Sequence, residues 1–468
     1  MITYYRLLFL HALIWGLLPT TVFDAPPLDV VELVTLYDTG AVANYKHPNL
    51  PGLILQLLAP LGIDVLYWVS QLCVLAALAV VYWLARQMVD AQRALASSLL
   101  LFGVFYFILP TPEFNHNVLQ MPFWATIISL TWAVSNRPSW GLWLALGVAS
   151  GLLLWIKYTG GILLLCVAIW LLFSEGWKER IRDPRLYVGA FLALFIASPQ
   201  VVYLIQTNGL PLEYASARAS QADEGAGAFL LTQLINHFPM LLLMGFAGLF
   251  GRNMLYTKSF ERAQYFVVGM LLGPLLILVL TSLVLGSGLR DMWGAPMFSL
   301  SGLAMMMFLG GRLTEVRLIR LHWITLIFSV ALAALYVWQF VERDQRTAKP
   351  SRMHWPQAEI AAQAADYFGD NIPLVVGPYW IAGLVAMQPD SWRPVMVDGD
   401  PIKSPWVLPE DLDKGYLVVY DSPSDSLMEF MEHNSIDPEQ GQRFEFSWSP
   451  EPDARIIELT MIAVGPNQ

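Results

Sequence analysis

Apolar stretches about as long as a bilayer is thick recur along the first three quarters of this chain. A helix needs roughly 20 consecutive, mostly apolar residues to cross the hydrocarbon core. Hydrophobic residues make up 56% of the 468 residues, charged residues make up 14%, and the mean hydropathy is +0.51. This composition excludes an ordinary soluble domain and predicts a polytopic membrane protein that is mainly α-helical.

We predict about eleven transmembrane helices from these stretches. They cover residues 7–22, 61–85, 94–110, 118–135, 140–156, 159–174, 186–205, 228–250, 264–286, 293–310 and 321–341. Alternate loops between them carry most of the basic side chains, among them Arg86, Arg137, Lys178, Arg262 and Arg317. Because such loops stay in the cytoplasm, an odd number of spans places the N-terminus inside and everything after residue 341 outside.

The last quarter of the chain is polar and acidic. From Ser351 onward it carries 6 Lys and Arg against 19 Asp and Glu, whereas the whole chain has a net charge of −10. The segments "PLVVG", "PVMVDG", "YLVVYD" and "RIIELTMIAVG" are typical of short strands, and "WPQAEIAAQAADYF" and "SDSLMEFMEH" are typical of helices. We therefore expect a transmembrane domain over residues 1–344 and a small α/β domain over residues 345–468.

Two carboxylates lie in the first loop that this topology places outside. Asp29 and Glu32 stand three residues apart in "LDVVEL", so they share one face if this stretch is a helix lying along the membrane surface. Such a pair either keeps an interfacial helix hydrated or supplies catalytic groups, and the spacing alone fits both roles.

Positive or ionisable side chains also lie in the loops predicted to be outside, where the topology rule disfavours them. They are Lys46, His47, Lys157 and Arg290. A single lysine of this kind is usually a snorkelling side chain. Several of them in different loops indicate an anionic ligand, such as a phosphate.

The segment "PEFNHN" adds further polar groups at the outer end of the fourth span. Glu113 and His116 stand at i and i+3 and are followed by Asn117, a spacing that suits a shared metal ion and equally suits the cap of a helix. The sequence contains no Gly-x-Ser-x-Gly elbow and no His-Glu-x-x-His, so hydrolase and zinc-protease functions have no support.

Five segments of the chain stand in a distinctive order: "PPLDVVE", "NYKHPNLPG", "EFNHNVLQMPFW", "GLLLWIKYTGGILLL" and "LRDMWGAPMF". Their order and topological positions resemble those of GT-C membrane glycosyltransferases. The chain resembles in particular the bacterial branch related to protein mannosyltransferases, the lipid A aminoarabinose transferase and the rhizobial lipopolysaccharide galacturonosyltransferases, and the tail segment "RPVMVDGDPIKSPWV" resembles the last of these groups. The chain departs from the lipid A transferase at Lys46–His47, where that enzyme has a Glu–Lys pair before the proline.

The resemblance implies a multi-pass enzyme of the bacterial inner membrane whose active site and C-terminal domain are periplasmic. It would move a sugar, with inversion, from a polyprenyl-phosphate donor to lipid A, lipopolysaccharide or another envelope acceptor, without a nucleic-acid partner. Asp29 would be the general base, next to Glu32. The donor phosphate would be bound by Lys46, His47, Lys157 and Arg290, with or without a divalent cation such as Mg, Mn or Zn. Glu113, His116 and Asn117 would contact the acceptor or that metal.

Two functions of other classes fit the same composition. A transporter or flippase of lipid-linked sugars would share the span count, but such proteins have broken helices near the midplane and repeat symmetry. A non-catalytic scaffold would use its acidic tail to bind envelope partners. Transfer activity that is lost when one carboxylate is changed separates an enzyme from both.

The first prediction concerns topology. A periplasm-active reporter fused after Gln468 should be active, because the basic loops place the C-terminus outside. If a reporter that is active only in the cytoplasm is active when fused after Gln468, this topology is contradicted.

Overall fold

The structure is a computed structural model that describes residues 2–36, 41–222, 225–251, 258–343, 351–387, 392–448 and 455–466. The predicted boundary between residues 344 and 345 lies outside the described residues and stays a prediction. Helices dominate up to residue 343. They are α1 (Ile2–Val22), α2 (Leu28–Thr35), α3 (Leu50–Leu58), α4 (Val65–Ala85), α5 (Ala91–Leu100), α6 (His116–Asn136), α7 (Trp140–Ile156), α8 (Gly160–Phe173), α9 (Trp177–Arg182), α10 (Pro184–Gln206), α11 (Leu210–Ser220), α12 (Ala226–Phe246), α13 (Lys258–Leu285), α14 (Ser301–Phe308) and α15 (Glu315–Val337).

Seven of these helices are long and apolar enough to cross a membrane, which confirms a mainly α-helical polytopic membrane protein. They coincide with seven of the predicted spans and are α1, α4, α6, α10, α12, α13 and α15. The spans predicted at 140–156 and 159–174 are the shorter apolar helices α7 and α8.

The two remaining predicted spans, 94–110 and 293–310, are not single helices. The first consists of α5 followed by the 3-10 turns Leu101–Gly103 and Phe105–Phe107, and the second is the 3-10 helix Asp291–Leu300 followed by α14. A Cβ at Gly103 would lie 2.4 Å from the Cα of Met240 in α12, so this irregular segment packs directly against another backbone. Such backbone is tolerated at membrane depth where protein covers it.

The chain divides into two compact units. The first unit contains Met1–Gly16, Lys46–Leu50 and Tyr67–Ala333, and the second contains Leu17–Tyr45, Pro51–Leu66 and Ala334–Gln468. The second unit therefore combines the C-terminal quarter of the chain with the opening loop and α2.

A five-stranded sheet forms the centre of the C-terminal quarter. Its strands are β1 (Val375–Gly377), β2 (Val395–Val397), β3 (Tyr416–Tyr420), β4 (Gln442–Ser447) and β5 (Ile456–Val464), in the order β2-β1-β3-β5-β4. Strand β1 pairs in parallel with β2 and β3, with Val376 opposite both Met396 and Val418. Strand β5 runs antiparallel to β3 and β4.

The helices of this quarter are α16 (Gln357–Phe368), α17 (Tyr379–Ala386), α18 (Pro409–Leu412) and α19 (Asp425–His433). The four strands and two helices predicted from the sequence are confirmed as β1, β2, β3, β5, α16 and α19. Strand β4 was not predicted, since its edge position leaves most of its side chains exposed. Helix α17 was not predicted either, because it is buried from Trp380 to Ala386 and its short apolar run has no helical periodicity.

Glycines bring α7 and α10 together in the first unit. A Cβ at Gly147 of α7 would lie 2.4 Å from the carbonyl oxygen of Gly189 in α10, and a Cβ at Gly189 would lie 2.7 Å from the oxygen of Trp143. A Cβ at Gly151, four residues after Gly147, would lie 2.6 Å from the Cβ of Ile196 in α10. Small residues at this spacing let two membrane helices approach closely.

We predict that Gly147→Ala lowers the melting temperature of the detergent-purified protein, because its methyl group has no space beside the Gly189 carbonyl. Overpacking of this kind typically costs about 1–3 kcal/mol. Gly141→Ala in the same helix is the matched control, since a Cβ there meets nothing within 4 Å. Equal melting temperatures for the two variants would contradict the close packing of α7 on α10.

Candidate functional site

The opening loop forms a short helix, α2, that carries both predicted carboxylates. Pro26 and Pro27 come directly before it, and Pro27 takes the N-cap position. Its buried positions are Val30, Val31, Leu33, Val34 and Thr35. Asp29 and Glu32 are half-buried, so the two carboxylates share the less buried face, as the spacing predicted.

The buried face of α2 packs against protein within the second unit. Its partner is α17, and the approach is closest at Gly383, where a Cβ would lie 2.5 Å from Cγ1 of Val31 and 2.9 Å from Cγ2 of Thr35. The helix is thus fixed by a protein neighbour.

Two lysines, two histidines and one asparagine form a group in the first unit that is named here the cation cluster. Its members are Lys46, His47, His116, Asn117 and Lys157. The ammonium of Lys157 donates a hydrogen bond to Oδ1 of Asn117 at 2.8 Å. The rings of His47 and His116 have centroids 4.5 Å apart, and Nε2 of His116 lies 3.2 Å from the carbonyl oxygen of Pro48.

The cation cluster is almost closed to solvent. Lys46 is 7% exposed and Lys157 is 9% exposed. Burial, together with the nearby His116, Lys157 and Lys46, holds the pKa of His47 well below its ordinary value. His47 is therefore neutral near pH 7, and the two ammonium groups provide the positive charge of the cluster.

Helix α6 positions two members of the cluster at its N-terminus. Asn115 is the N-cap, and its Oδ1 accepts hydrogen bonds from the backbone N–H of Asn117 at 2.9 Å and of Val118 at 3.0 Å. Glu113 lies in the turn before the helix, so the i, i+3 relation to His116 does not place both side chains on one helical face. Of the two roles considered for this segment, capping is confirmed, with Asn115 as the capping residue.

The side chains do not fit the metal site considered for this region. In the part of the chain that the structure describes, no group of three or more His, Cys, Asp or Glu side chains could hold a metal ion. The two imidazoles of the cluster lie beside ammonium groups, which repel a second cation. The suggested Mg, Mn or Zn therefore has no suitable set of donors in the cluster.

Arg290 lies directly before the 3-10 helix Asp291–Leu300. This 3-10 helix contacts the cation cluster, because Nδ2 of Asn117 donates a hydrogen bond to Sδ of Met292 at 3.6 Å. The Nε of Arg290 is buried, and among the described residues nothing accepts a hydrogen bond from it. A guanidinium in this condition is suited to an anionic ligand.

A polar network that sequence reasoning missed holds this segment in place. The hydroxyl of Tyr106 donates to the carbonyl oxygen of Asp291 at 2.6 Å, and Nε2 of Gln233 donates to the same oxygen at 3.2 Å. Asn236 in turn donates to the Tyr106 hydroxyl at 3.0 Å. The only sequence signal was the occurrence of Tyr, Gln and Asn inside predicted spans, where polar residues are costly and therefore informative.

Tyr214 of α11 is a second residue that sequence reasoning missed. Its ring centroid lies 5.6 Å from Nζ of Lys46 and 6.1 Å from the centroid of the His47 ring. A cation over an aromatic face is stabilised by the ring quadrupole. Tyr214 lies about 170 positions after Lys46 in the chain, and nothing in the sequence pairs the two.

The predicted site residues thus form two sets. Asp29 and Glu32 lie in the second unit, whereas the cation cluster, Glu113 and Arg290 lie in the first. The carboxylates can accept a proton, and the cation cluster can neutralise an anion without the competition of bulk water.

Comparisons with known proteins found one family model and several solved structures that are similar to this chain. A family model described as dolichyl-phosphate-mannose-protein mannosyltransferase matches residues 46–203, a range that includes the cation cluster and Glu113. No curated protein sequence matches the chain.

Among solved structures, the chain is similar in fold to ArnT from Cupriavidus metallidurans. The structure of ArnT bound to undecaprenyl phosphate matches with a TM-score of 0.64 and 13% identity, over 99% of both chains. The apo structure matches with a TM-score of 0.55 and 12% identity, again over 99% of both chains. Residues 46–203 are thus similar to dolichyl-phosphate-mannose-protein mannosyltransferases, and the whole chain is similar in fold to ArnT.

Proposed function

We propose that this protein transfers a sugar from a polyprenyl-phosphate donor to a hydroxyl of lipid A, lipopolysaccharide or another envelope acceptor at the periplasmic face of a bacterial inner membrane. The observation that carries the proposal is the cation cluster, in which two almost buried ammonium groups lie beside a neutral imidazole. A long isoprenoid chain reaches its enzyme through the bilayer, so its phosphate requires a cationic site at the end of apolar helices.

The comparisons support a donor of this class. The matched ArnT structure contains undecaprenyl phosphate, and the matched family model describes enzymes that use a dolichyl-phosphate sugar. Both are sugar carriers made of a phosphate and a polyisoprenoid chain. A buried cluster with the positive charge of two lysines complements such a phosphate.

In the proposed reaction, Asp29 takes the proton of the acceptor hydroxyl while the oxygen attacks the anomeric carbon. The bond between this carbon and the phosphate oxygen breaks, and the polyprenyl phosphate leaves with the electron pair. Attack from the side opposite the phosphate inverts the anomeric centre. Glu32, on the same face of α2, orients the acceptor.

The negative charge that develops on the leaving phosphate is stabilised by Lys46, Lys157 and Arg290. The N–H of the neutral His47 supplies a hydrogen bond without adding charge. Asn117 orients the ammonium of Lys157 through its 2.8 Å hydrogen bond. Since the donor set does not fit a metal, no step of this mechanism uses one.

The direct test is transfer by the purified protein in proteoliposomes that contain polyprenyl-phosphate sugars and lipid A. Mass spectrometry of lipid A, core oligosaccharide and envelope glycoproteins from cells with and without the gene identifies the sugar and the acceptor. Movement of the lipid-linked sugar across the bilayer without formation of a new glycosidic bond would support a flippase instead.

We predict that Lys157→Ala or Arg290→Ala raises the donor concentration needed for half-maximal transfer, because each removes a cation from the phosphate site. Loss of one charge-assisted hydrogen bond corresponds to about 1.5–3 kcal/mol, or roughly a tenfold to hundredfold weaker use of donor. Lys414→Ala is the control, since Lys414 is 64% exposed and pairs with Asp411. Normal donor kinetics in both test variants would remove these residues from the site.

We also predict that Asp29→Asn abolishes transfer while the protein stays inserted and still binds undecaprenyl phosphate. Asparagine keeps the shape of the side chain but cannot take a proton near neutral pH, and general base catalysis contributes about 10² to 10⁴ in rate. Glu32→Gln should have the milder effect if Glu32 only orients the acceptor. Normal turnover of Asp29→Asn alongside an inactive Glu32→Gln would assign the base to Glu32.

A further inference from the structure

The contact between α2 and α17 connects the carboxylate pair to the C-terminal α/β domain. Helix α17 contacts α2, α16 and strands β1, β2 and β3, and α2 also touches β2 directly. All its residues from Trp380 to Ala386 are buried. Helix α2, which carries Asp29 and Glu32, rests directly on this fully enclosed helix.

The start of α2 is attached to the same domain. The backbone N–H groups of Asp24 and Ala25 both donate to the carbonyl oxygen of Met353, at 2.8 and 2.9 Å. The carboxylate of Asp24 also lies 3.4 Å from Nδ1 of His354. The chain therefore enters α2 from a point that is bound to the segment preceding α16.

We propose that the C-terminal domain fixes the position of the reacting carboxylate, with Gly383 of α17 as the positioning residue. This inference rests on the proposed role of Asp29. Because Gly383 has no side chain, the backbone of α17 comes close enough for Val31 and Thr35 to pack directly on it. This contact sets the distance between α2 and α17. It therefore also sets the position of Asp29, which lies on the opposite face of α2.

A methyl group at Gly383 should move α2 rather than α17. The Cβ would lie 2.5 Å from Cγ1 of Val31, about 1 Å less than a normal contact between carbon atoms. Val31 is a β-branched residue in a helix, so its χ1 angle is restricted and the side chain cannot rotate away freely. The other faces of α17 are packed on the sheet and α16, whereas α2 has half-buried positions at Asp29 and Glu32.

We predict that Gly383→Ala lowers kcat by about tenfold to hundredfold, since a misplacement near 1 Å has an effect of that size on a reacting group. The donor KM should stay unchanged, because the substitution leaves every proposed phosphate-binding side chain in place. Gly465→Ala in the same domain is the matched control, as a Cβ there meets nothing within 4 Å. The readouts are kcat and KM in proteoliposomes and the melting temperature in detergent.

The double variant Val31→Ala/Gly383→Ala separates positioning from a general loss of folding. Removing the Cγ atoms of Val31 removes the shorter of the two close contacts and leaves only Cγ2 of Thr35 at 2.9 Å, so the double variant should regain most of the kcat of Val31→Ala alone. Coupling of this kind identifies a direct contact between the two residues. Val31→Leu, which enlarges the same contact from the side of α2, should lower kcat as Gly383→Ala does.

Three results would overturn the inference. The first is normal kcat for Gly383→Ala and Val31→Leu, and the second is a double variant that stays as inactive as Gly383→Ala. The third is a loss of transfer that parallels the loss of folded, undecaprenyl-phosphate-binding protein, since the contact would then serve folding only. In each case Asp29→Asn still tests the proposed function independently, because that variant leaves the contact intact.

Discussion

The structure depends first on the rule that backbone polar groups inside a bilayer must find their hydrogen-bond partners within the protein. This requirement produces the seven long apolar helices. It also explains where irregular backbone is permitted. The 3-10 segments after α5 and before α14 consist mostly of buried residues, and their close neighbours are the backbone of α12 and the side chain of Gln233. Protein packing takes the place of helical regularity there.

The same rule limits where charge can be placed. Lys46 and Lys157 are almost fully buried, and each has a neighbour that compensates for lost water, namely the Tyr214 ring and the Asn117 amide. Isolated buried ammonium groups would be very costly. Their concentration around one neutral histidine gives a buried site of positive charge, which complements an anionic ligand.

The C-terminal domain has a clear structural relation to the proposed chemistry. Its sheet supports α17, α17 supports α2, and α2 carries the carboxylates. The opening loop and the C-terminal quarter are thus parts of one compact unit although more than 300 residues separate them. In the proposed mechanism, the acidic domain that the sequence presents as an appendage helps to place Asp29, the proposed base.

Much of the candidate site could be predicted because its residues are charged and lie close to apolar segments, where charged residues are costly. Asp29, Glu32, Lys46, Lys157 and Arg290 are charged residues close to apolar segments, and such residues are rare unless they function. Tyr106, Gln233 and Tyr214 could not be predicted, since their importance comes from partners that lie between 58 and about 170 positions away. The metal suggested by Glu113 and His116 received no support from the side-chain arrangement, because Glu113 precedes the helix that begins at His116.

The sequence by itself determined the fold class, most of the spans and four of the five strands, because apolar length and periodicity act within a short window of the chain. It also predicted that Asp29 and Glu32 share one face if their segment is a helix, and the structure shows that helix as α2. Only the tertiary structure decided that two predicted spans are irregular and that α17 exists as a buried helix. It alone brought Gly383 of α17 against Val31 and Thr35 of α2. Close approach between two backbones depends on which distant elements meet, and no local pattern of residues records that.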